Sequence, residues 1–214
     1  MNQLLYSIVY MRYSQLIDEV LTVYTGLDQH LTSVAKQNGL SCPQFCSRCC
    51  LKPDIEASPI EFLPLAAYLY KTNQVDEFLA KLDGNEDGIC VNYNADASQR
   101  GEWGCQNYLY RGLIGRLFGY GFRLNREGIP GLVTCKIMKE NLPAAIAKAN
   151  QYAEARPDEV PLFRNYFMQL YAIDPEMAVE QLPINDAIRV AIEKLFFYFV
   201  ERDENQDAET DERK

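Results

Sequence analysis

The sequence predicts a mainly α protein, a helical domain with an irregular, cysteine-rich centre. Apolar residues recur at three- and four-residue steps near both ends of the chain, a spacing typical of amphipathic helices. Between these ends, four of the seven cysteines lie in the stretch CPQFCSRCC, 42–50, and a stretch rich in glycine, asparagine and aspartate follows at 83–107. Strand and helix patterns do not alternate, which argues against a parallel α/β fold.

The N-terminal helical segment, 1–40, is predicted to be a single helix over residues 3–37. One face of this helix is apolar and comprises Leu16, Val20, Val23, Leu27, Leu31 and Val34. Gly39 is expected to end the helix, because glycine readily adopts the left-handed conformation found just after helices. The apolar start of the chain has no preceding basic residue and no small-residue cleavage site after it, so we do not interpret it as a signal peptide.

The cysteine-cluster region, 41–140, is predicted to contain a few short helices joined by loops. Ser58, Pro59 and Glu61 have the spacing of a capping box, which predicts a helix that runs to Lys71. Two more helices are expected over 74–82 and 108–118, on either side of the loop at 83–107, and 132–134 is expected to be extended.

The C-terminal region, 141–202, is predicted to form three helices, at about 142–155, 160–173 and 185–202. The acidic tail that follows, 203–214, is expected to be solvated and disordered, since it has almost no apolar side chain to bury.

The charge balance narrows the classes of partner. The net charge is −9, and a protein this acidic lacks the basic face that a nucleic acid or an anionic membrane surface requires. With no signal peptide and no sufficiently long uncharged run, we expect a cytoplasmic protein that does not bind nucleic acid or membrane. The sequence leaves its protein partners and its oligomeric state open.

The cysteines point to a soft metal. Cytoplasmic thiols stay reduced, and an odd number of cysteines cannot all pair, so a disulfide framework is disfavoured. Steps of four, three and one residues bring the first four thiols together, whether the segment is helical or forms a knuckle. More distant ligands then come from loops. The predicted metal ligands are therefore Cys42, Cys46, Cys49, Cys50, Cys90, Cys105 and Cys135.

An all-sulfur donor set suits zinc, iron or an iron–sulfur cluster. His30 is the only histidine and lies within a helical pattern, where a surface or capping role is more common than metal ligation. The predicted centre is thus metal-organised. Seven thiols exceed the four that one tetrahedral zinc accepts, so we expect two metal ions or one cluster with spare cysteines. For Cys90 and Cys135 the alternative remains open that they are ordinary buried cysteines.

A local basic run, Arg111 and Arg116 followed by Arg123 and Arg126, stands out in this acidic chain. Three interpretations remain open: the guanidinium groups offset the charge of bound thiolates, they are solvated at the surface, or they bind an anionic substrate.

Three features together resemble the YkgJ-type cysteine-cluster family, a zinc- or iron-chelating domain. They are the 42–50 box, Cys90, and the block Cys105-Gln-Asn-Tyr108-Leu-Tyr-Arg111-Gly112-Leu-Ile-Gly115-Arg116-Leu-Phe118-Gly119. Gly112 stands where the family usually has proline, and Gly115 where it usually has cysteine. Cys135 is a candidate replacement for that missing thiol. The resemblance covers residues 42–119 and implies metal chelation without fixing a reaction.

The sequence therefore favours a metal-binding cysteine-cluster protein and leaves open whether it is an enzyme. One alternative is an iron–sulfur enzyme in redox or methyl-transfer chemistry, because a flagellin-lysine methylase resembles the family in the cysteine box. Cys42, Cys46 and Cys49 also have the spacing of the radical S-adenosylmethionine motif, although Arg48 replaces the usual aromatic residue. The other alternative is a helical interaction protein stapled by structural zinc.

Overall fold

We describe the protein from a computed structural model, whose described residues are 3–102 and 104–211. The mainly α class is confirmed, because most of these residues are helical. The α-helices are α1 Gln3–Asn38, α2 Leu63–Lys71, α3 Val75–Asp83, α4 Ala95–Gln99, α5 Leu113–Leu117, α6 Lys136–Asn141, α7 Pro143–Ala155, α8 Phe163–Ile173, α9 Pro175–Val179 and α10 Ile184–Asp211. No helix in this part of the chain is long and apolar enough to cross a lipid bilayer.

Short strands and 3₁₀ turns connect the helices. Strand β1 (Glu56–Ala57) pairs antiparallel with β4 (Leu182–Pro183), and β2 (Phe122–Leu124) forms a hairpin with β3 (Pro130–Leu132). The 3₁₀ turns are Arg48–Leu51, Pro59–Phe62, Tyr108–Tyr110 and Pro157–Glu159.

Helix α1 forms one side of the fold because its apolar stripe is buried as predicted. Val20 and Leu27 are fully buried, and α1 packs against α2 and α8. The helix ends at the predicted glycine: Gly39 has φ of 72°, and the Leu40 N–H donates to the Ala35 carbonyl at 2.9 Å.

Two apolar clusters form the interior. The larger cluster joins α1, α2, α8 and α10 and includes Leu27, Leu65, Ile188 and Leu195. The smaller cluster lies between the end of α1, the β2–β3 hairpin and α7, and comprises Val34, Leu40, Phe122, Ala149, Ala153, Val160 and Leu162. The Tyr120 ring packs against both.

Helix α10 continues to Asp211 and so includes most of the acidic tail at 203–214, while 212–214 lie outside the described residues. The disorder expected of this tail stays a prediction. Extending a helix that is already formed costs far less than starting one, and glutamate, alanine and glutamine favour the helical backbone.

The helix predicted over 108–118 is interrupted. A 3₁₀ turn over Tyr108–Tyr110 is followed by extended backbone at Gly112, where ψ is 174°, and α5 begins only at Leu113. The cause lies far away in the sequence. The buried carboxylate of Glu61 accepts the Leu113 N–H at 2.7 Å, and a β-carbon on Gly112 would lie 2.9 Å from its Oε2 atom. Glu61 therefore fixes the start of α5.

Candidate metal centre

The 42–50 box is a knuckle rather than a helix. The Cys46 N–H donates to the Pro43 carbonyl at 3.0 Å, and Phe45 has φ of 61°, which interrupts any helical path. The Cys50 N–H then donates to the Ser47 carbonyl at 2.9 Å as the chain enters a short 3₁₀ turn. Of the two conformations that the spacing allowed, the structure adopts the irregular one.

A second cysteine-bearing segment packs directly against this box. Gly104 lies so close to Ser47 that a β-carbon at position 104 would be 2.3 Å from the Ser47 β-carbon. Next to this contact, Cys105 forms an isolated antiparallel bridge with Tyr93, and the Tyr93 N–H donates to the Cys90 carbonyl at 2.8 Å. The sequence held no signal for the Ser47–Gly104 contact, since it joins residues in two separate loops.

The third segment approaches from the β2–β3 side. The Cys42 N–H donates to the Tyr120 hydroxyl at 2.8 Å, and the neighbouring Gly119 N–H donates to the Val133 carbonyl at 2.9 Å. These bonds connect the start of the box to the segment that carries Cys135. Cys135 is the N-cap residue of α6, and its sulfur accepts the Met138 N–H at 3.4 Å.

The thiols influence one another in two groups. Burial, and to a smaller extent the neighbouring Cys46, Cys49 and Cys135, together raise the pKa of Cys42 to about 12. For Cys50, the hydrogen bond with Cys49 is the main cause of a strongly raised pKa, followed by burial and by the nearby thiols of Cys49, Cys105 and Cys90. Cys49 belongs to both groups.

Cys49 and Cys50 form a vicinal pair whose sulfur atoms are 4.0 Å apart. Their hydrogen bond lowers the pKa of Cys49 to about 7, against the opposing effect of burial. Cys49 is also the exposed member of the seven, whereas the other six are partly buried. Its lowered pKa and its exposure make Cys49 readily available as thiolate at neutral pH.

The second group is more strongly shielded from water. Burial raises the pKa of Cys105 to about 11, with a further contribution from Cys90, while the Asn107 N–H and Arg111 act in the opposite direction. Burial also raises the pKa of Cys90, although hydrogen bonds from Asn92 oppose it. Metal binding at these thiols requires proton release.

All seven cysteines are free thiols, which excludes a disulfide framework in this structure. Among the described residues, no three cysteine, histidine or acidic side chains meet in a geometry that would hold a metal ion. The described residues therefore include the sulfur donors of the predicted metal-organised centre, but these donors do not form a closed coordination site. The donors still fit a soft cation in kind, because they are thiols, mostly partly buried, from three segments that hydrogen bonds and packing connect.

The two arginines expected beside the thiolates have different surroundings. Arg111 lies over the Tyr108 ring, 3.9 Å from the ring centroid to the guanidinium carbon, and its charge reaches Cys105. Both arginines pair with Asp28 of α1, but Arg116 is the more deeply buried of the two and lies over the Tyr24 ring. The charge-offsetting interpretation therefore keeps Arg111, and for Arg116 it is replaced by a structural role.

His30 has no nitrogen left for a metal. Its Nε2 donates to the Glu159 carbonyl at 3.1 Å, which leaves Nδ1 to accept from the Tyr166 hydroxyl at 2.8 Å. The all-sulfur character of the candidate site follows from this arrangement.

The arrangement does not resemble the partial barrel of radical S-adenosylmethionine enzymes. Within the described residues the strands form two separate two-stranded antiparallel pairs, with no strand–helix repeat after the box. The Cys42–Cys46–Cys49 spacing is thus left without the fold that normally accompanies it.

The chain has no counterpart among the proteins compared with it: no family model, no curated protein and no solved structure matches.

Proposed function

We propose that this chain is a metal-binding protein that holds zinc or iron through its cysteine thiolates. The observation that supports this best is the convergence of three cysteine-bearing segments, with no thiol used in a disulfide. Partly buried thiols so close together are costly to ionise in the absence of a cation, as the raised pKa values of Cys42 and Cys105 indicate. A soft metal ion removes that cost by binding the thiolates.

The neighbour relations favour two metal positions that share one sulfur. The first donor set is Cys42, Cys46, Cys49 and Cys135, and the second is Cys49, Cys50, Cys90 and Cys105. Each set has the four sulfurs that a tetrahedral ion would require, and Cys49, which belongs to both sets, would be a ligand available to either ion. Arg111 offsets part of the negative charge that bound thiolates carry, because it lies near Cys105. This division assigns Cys135 the place of the thiol that Gly115 lacks.

The proposal retains the resemblance to the YkgJ-type family and a cytoplasmic location, where thiols remain reduced. The acidic surface continues to disfavour nucleic acid as a partner. A chelating protein and an iron–sulfur enzyme differ in whether the metal takes part in a reaction. The identity of the bound metal is the first observation that separates the two.

The test is elemental analysis and visible spectroscopy of protein purified without oxygen. We expect two equivalents of metal per chain. A colourless protein with stoichiometric zinc supports chelation or structural binding, and a brown protein with broad visible absorption supports an iron–sulfur cluster. One zinc per chain, with the remaining thiols freely alkylated in the native protein, contradicts the shared-sulfur arrangement. Absence of metal after purification, together with no uptake of added zinc or iron, contradicts the proposal as a whole.

A further inference from the structure

A cavity of about 460 Å³ opens between β2, α5 and α8, separate from the cysteines, none of which is among its described lining residues. This volume lies within the range of small-molecule sites in proteins, roughly 300–1,000 Å³. The walls are mainly apolar, with aromatic rings from Phe163 and Phe167 and aliphatic side chains that include Ile114 and Leu162. The cavity therefore suits a ligand with an apolar body.

Two arginines line the same cavity. The Arg123 guanidinium lies over the Phe163 ring, 4.6 Å from the ring centroid, so a face of an aromatic ring positions its charge. Arg164 follows Phe163 at the start of α8 and is exposed. Neither arginine forms an ion pair with any residue that the structure describes, whereas Arg111 and Arg116 both pair with Asp28. Both guanidinium groups keep their hydrogen-bond donors available to an anion.

Two acidic residues, Glu56 and Glu61, also line the cavity, but within the described residues neither forms an ion pair with Arg123 or Arg164. Glu61 is buried, and its two carboxylate oxygens accept hydrogen bonds from Ser58 and Leu113 inside the protein. Glu56 is exposed at the cavity and forms no ion pair with a described residue. One carboxylate in the same lining as two guanidinium groups favours a ligand with a single negative charge over a highly charged phosphate ester.

We propose that this cavity binds a small monocarboxylate with an apolar body, with Arg123 and Arg164 holding the carboxylate and the aromatic wall holding the body. Such a ligand satisfies both arginines through charge-assisted, bidentate hydrogen bonds and removes apolar surface from water. An aliphatic acid and an aryl-substituted acid share this chemistry, so the test includes both. The site is independent of the metal-binding proposal.

The experiment is calorimetric titration with decanoate and with 4-phenylbutanoate as probes, and with decanol as the uncharged analogue of decanoate. We expect the wild-type chain to bind at least one acid more tightly than decanol. In the double variant Arg123→Met and Arg164→Met, acid affinity should fall roughly 10–100-fold, which corresponds to the loss of charge-assisted hydrogen bonds, while decanol binding is unchanged. Arg126→Met is the matched control, because Arg126 lies in the same hairpin outside the cavity lining.

The size of the cavity gives a second, independent variant. Ile114→Trp places a large ring in the cavity and should abolish acid binding, with circular dichroism and the melting temperature verifying the fold. Tighter binding of either acid supports the site and identifies the preferred body. Failure of both acids to bind, equal affinity of the acids and decanol, or unchanged acid affinity in the double variant or in Ile114→Trp overturns the proposal.

Discussion

Gly104 and Ser47 are in such close contact that position 104 has no space for a side chain. A β-carbon at position 104 would lie 2.2 Å from the Ser47 hydroxyl oxygen and 2.3 Å from the Ser47 β-carbon. Rotation of the hydroxyl cannot relieve the second contact, because the β-carbon is fixed by the backbone. The contact joins the 42–50 box to the segment that carries Cys105, so the metal-binding proposal requires it to hold the thiols of the two segments near each other.

We expect Gly104→Ala to separate these two segments. The free energy of unfolding should fall by about 1–3 kcal/mol, the usual cost of overpacking. Metal content per chain should fall as well, because Cys90 and Cys105 move away from the box. Thermal unfolding and elemental analysis provide the two readings.

Gly26→Ala is the matched control for that variant. Gly26 is exposed in the middle of α1 with no heavy atom within 4 Å of an added β-carbon, so the alanine should raise stability by about 0.5–1 kcal/mol and leave metal content unchanged. A Gly104→Ala protein that matches wild type in both readings would show that the contact has no role in the centre.

Cys135 offers a substitution that separates its two roles. Its sulfur caps α6, and serine is among the preferred N-cap residues, so Cys135→Ser preserves the cap while removing a thiolate. If Cys135 is a ligand, the variant retains normal helix content but loses metal from the first donor set. Metal content equal to wild type would leave Cys135 with the capping role only.

Cys46→Ser is the reference for that comparison, since Cys46 has no capping function to preserve. We expect it to lose metal and to lower the melting temperature more than Cys135→Ser. Structural zinc can contribute on the order of 10 kcal/mol of apparent binding energy, so the loss of a ligand extends beyond the site. Full metal content and an unchanged melting temperature in Cys46→Ser would contradict the metal-binding proposal.

Substitution of Arg111 should mainly weaken metal retention, whereas substitution of Arg116 should mainly lower stability. Arg111→Met removes a positive charge near Cys105, so retention against a chelator should weaken roughly 10–100-fold with a small change in melting temperature. Arg116→Met removes a buried side chain that donates to Asp28 and to the carbonyls of Arg111 and Leu109, so stability should fall by about 1–3 kcal/mol. A chelator titration and thermal unfolding of both variants test the pair. Equal retention in the two variants would remove the electrostatic role of Arg111.

Glu61 should give a pH-dependent signature. Burial raises its pKa above the ordinary value of 4.5, although hydrogen bonds from Ser58 and Leu113 oppose this. The folded state then binds more protons than the unfolded state above pH 4.5, so the contribution of Glu61 to stability decreases as the pH rises through its folded-state pKa.

Glu61→Gln removes this titration and places an amide N–H₂ against N–H donors, at a cost of about 1–3 kcal/mol. The stability difference between wild type and variant should be largest below pH 4.5 and should shrink as the pH rises toward the folded-state pKa of Glu61. Denaturant unfolding at several pH values measures it. A difference that grows with pH would indicate that the hydrogen bonds outweigh burial.

The sequence predicted those features that depend on local patterns. The apolar stripe of α1, its end at Gly39 and the helix after the Ser58–Glu61 capping box all involve residues within a few turns of one another. The cysteine box was recognised for the same reason, because its four thiols lie within nine positions.

The remaining features depend on contacts between residues far apart in the chain. The break before α5 is imposed by Glu61, 52 residues before Leu113, and Arg116 reaches Asp28, 88 residues earlier. The side-chain spacing around 108–118 fits a continuous helix equally well, so only the folded arrangement reveals the interruption. The influence of Cys135 on Cys42, and of Cys90 and Cys105 on Cys50, likewise depends on loops whose packing no local pattern encodes.

Tyr120 connects the cysteine box to both apolar clusters of the interior. Its hydroxyl accepts the Cys42 N–H, while its ring packs against both apolar clusters. A rearrangement of the box therefore displaces a side chain on which both clusters rest, so the amide protons of α7 and of α2 should exchange with solvent at rates that respond together. The protein's resistance to proteolysis would then report the state of its thiols.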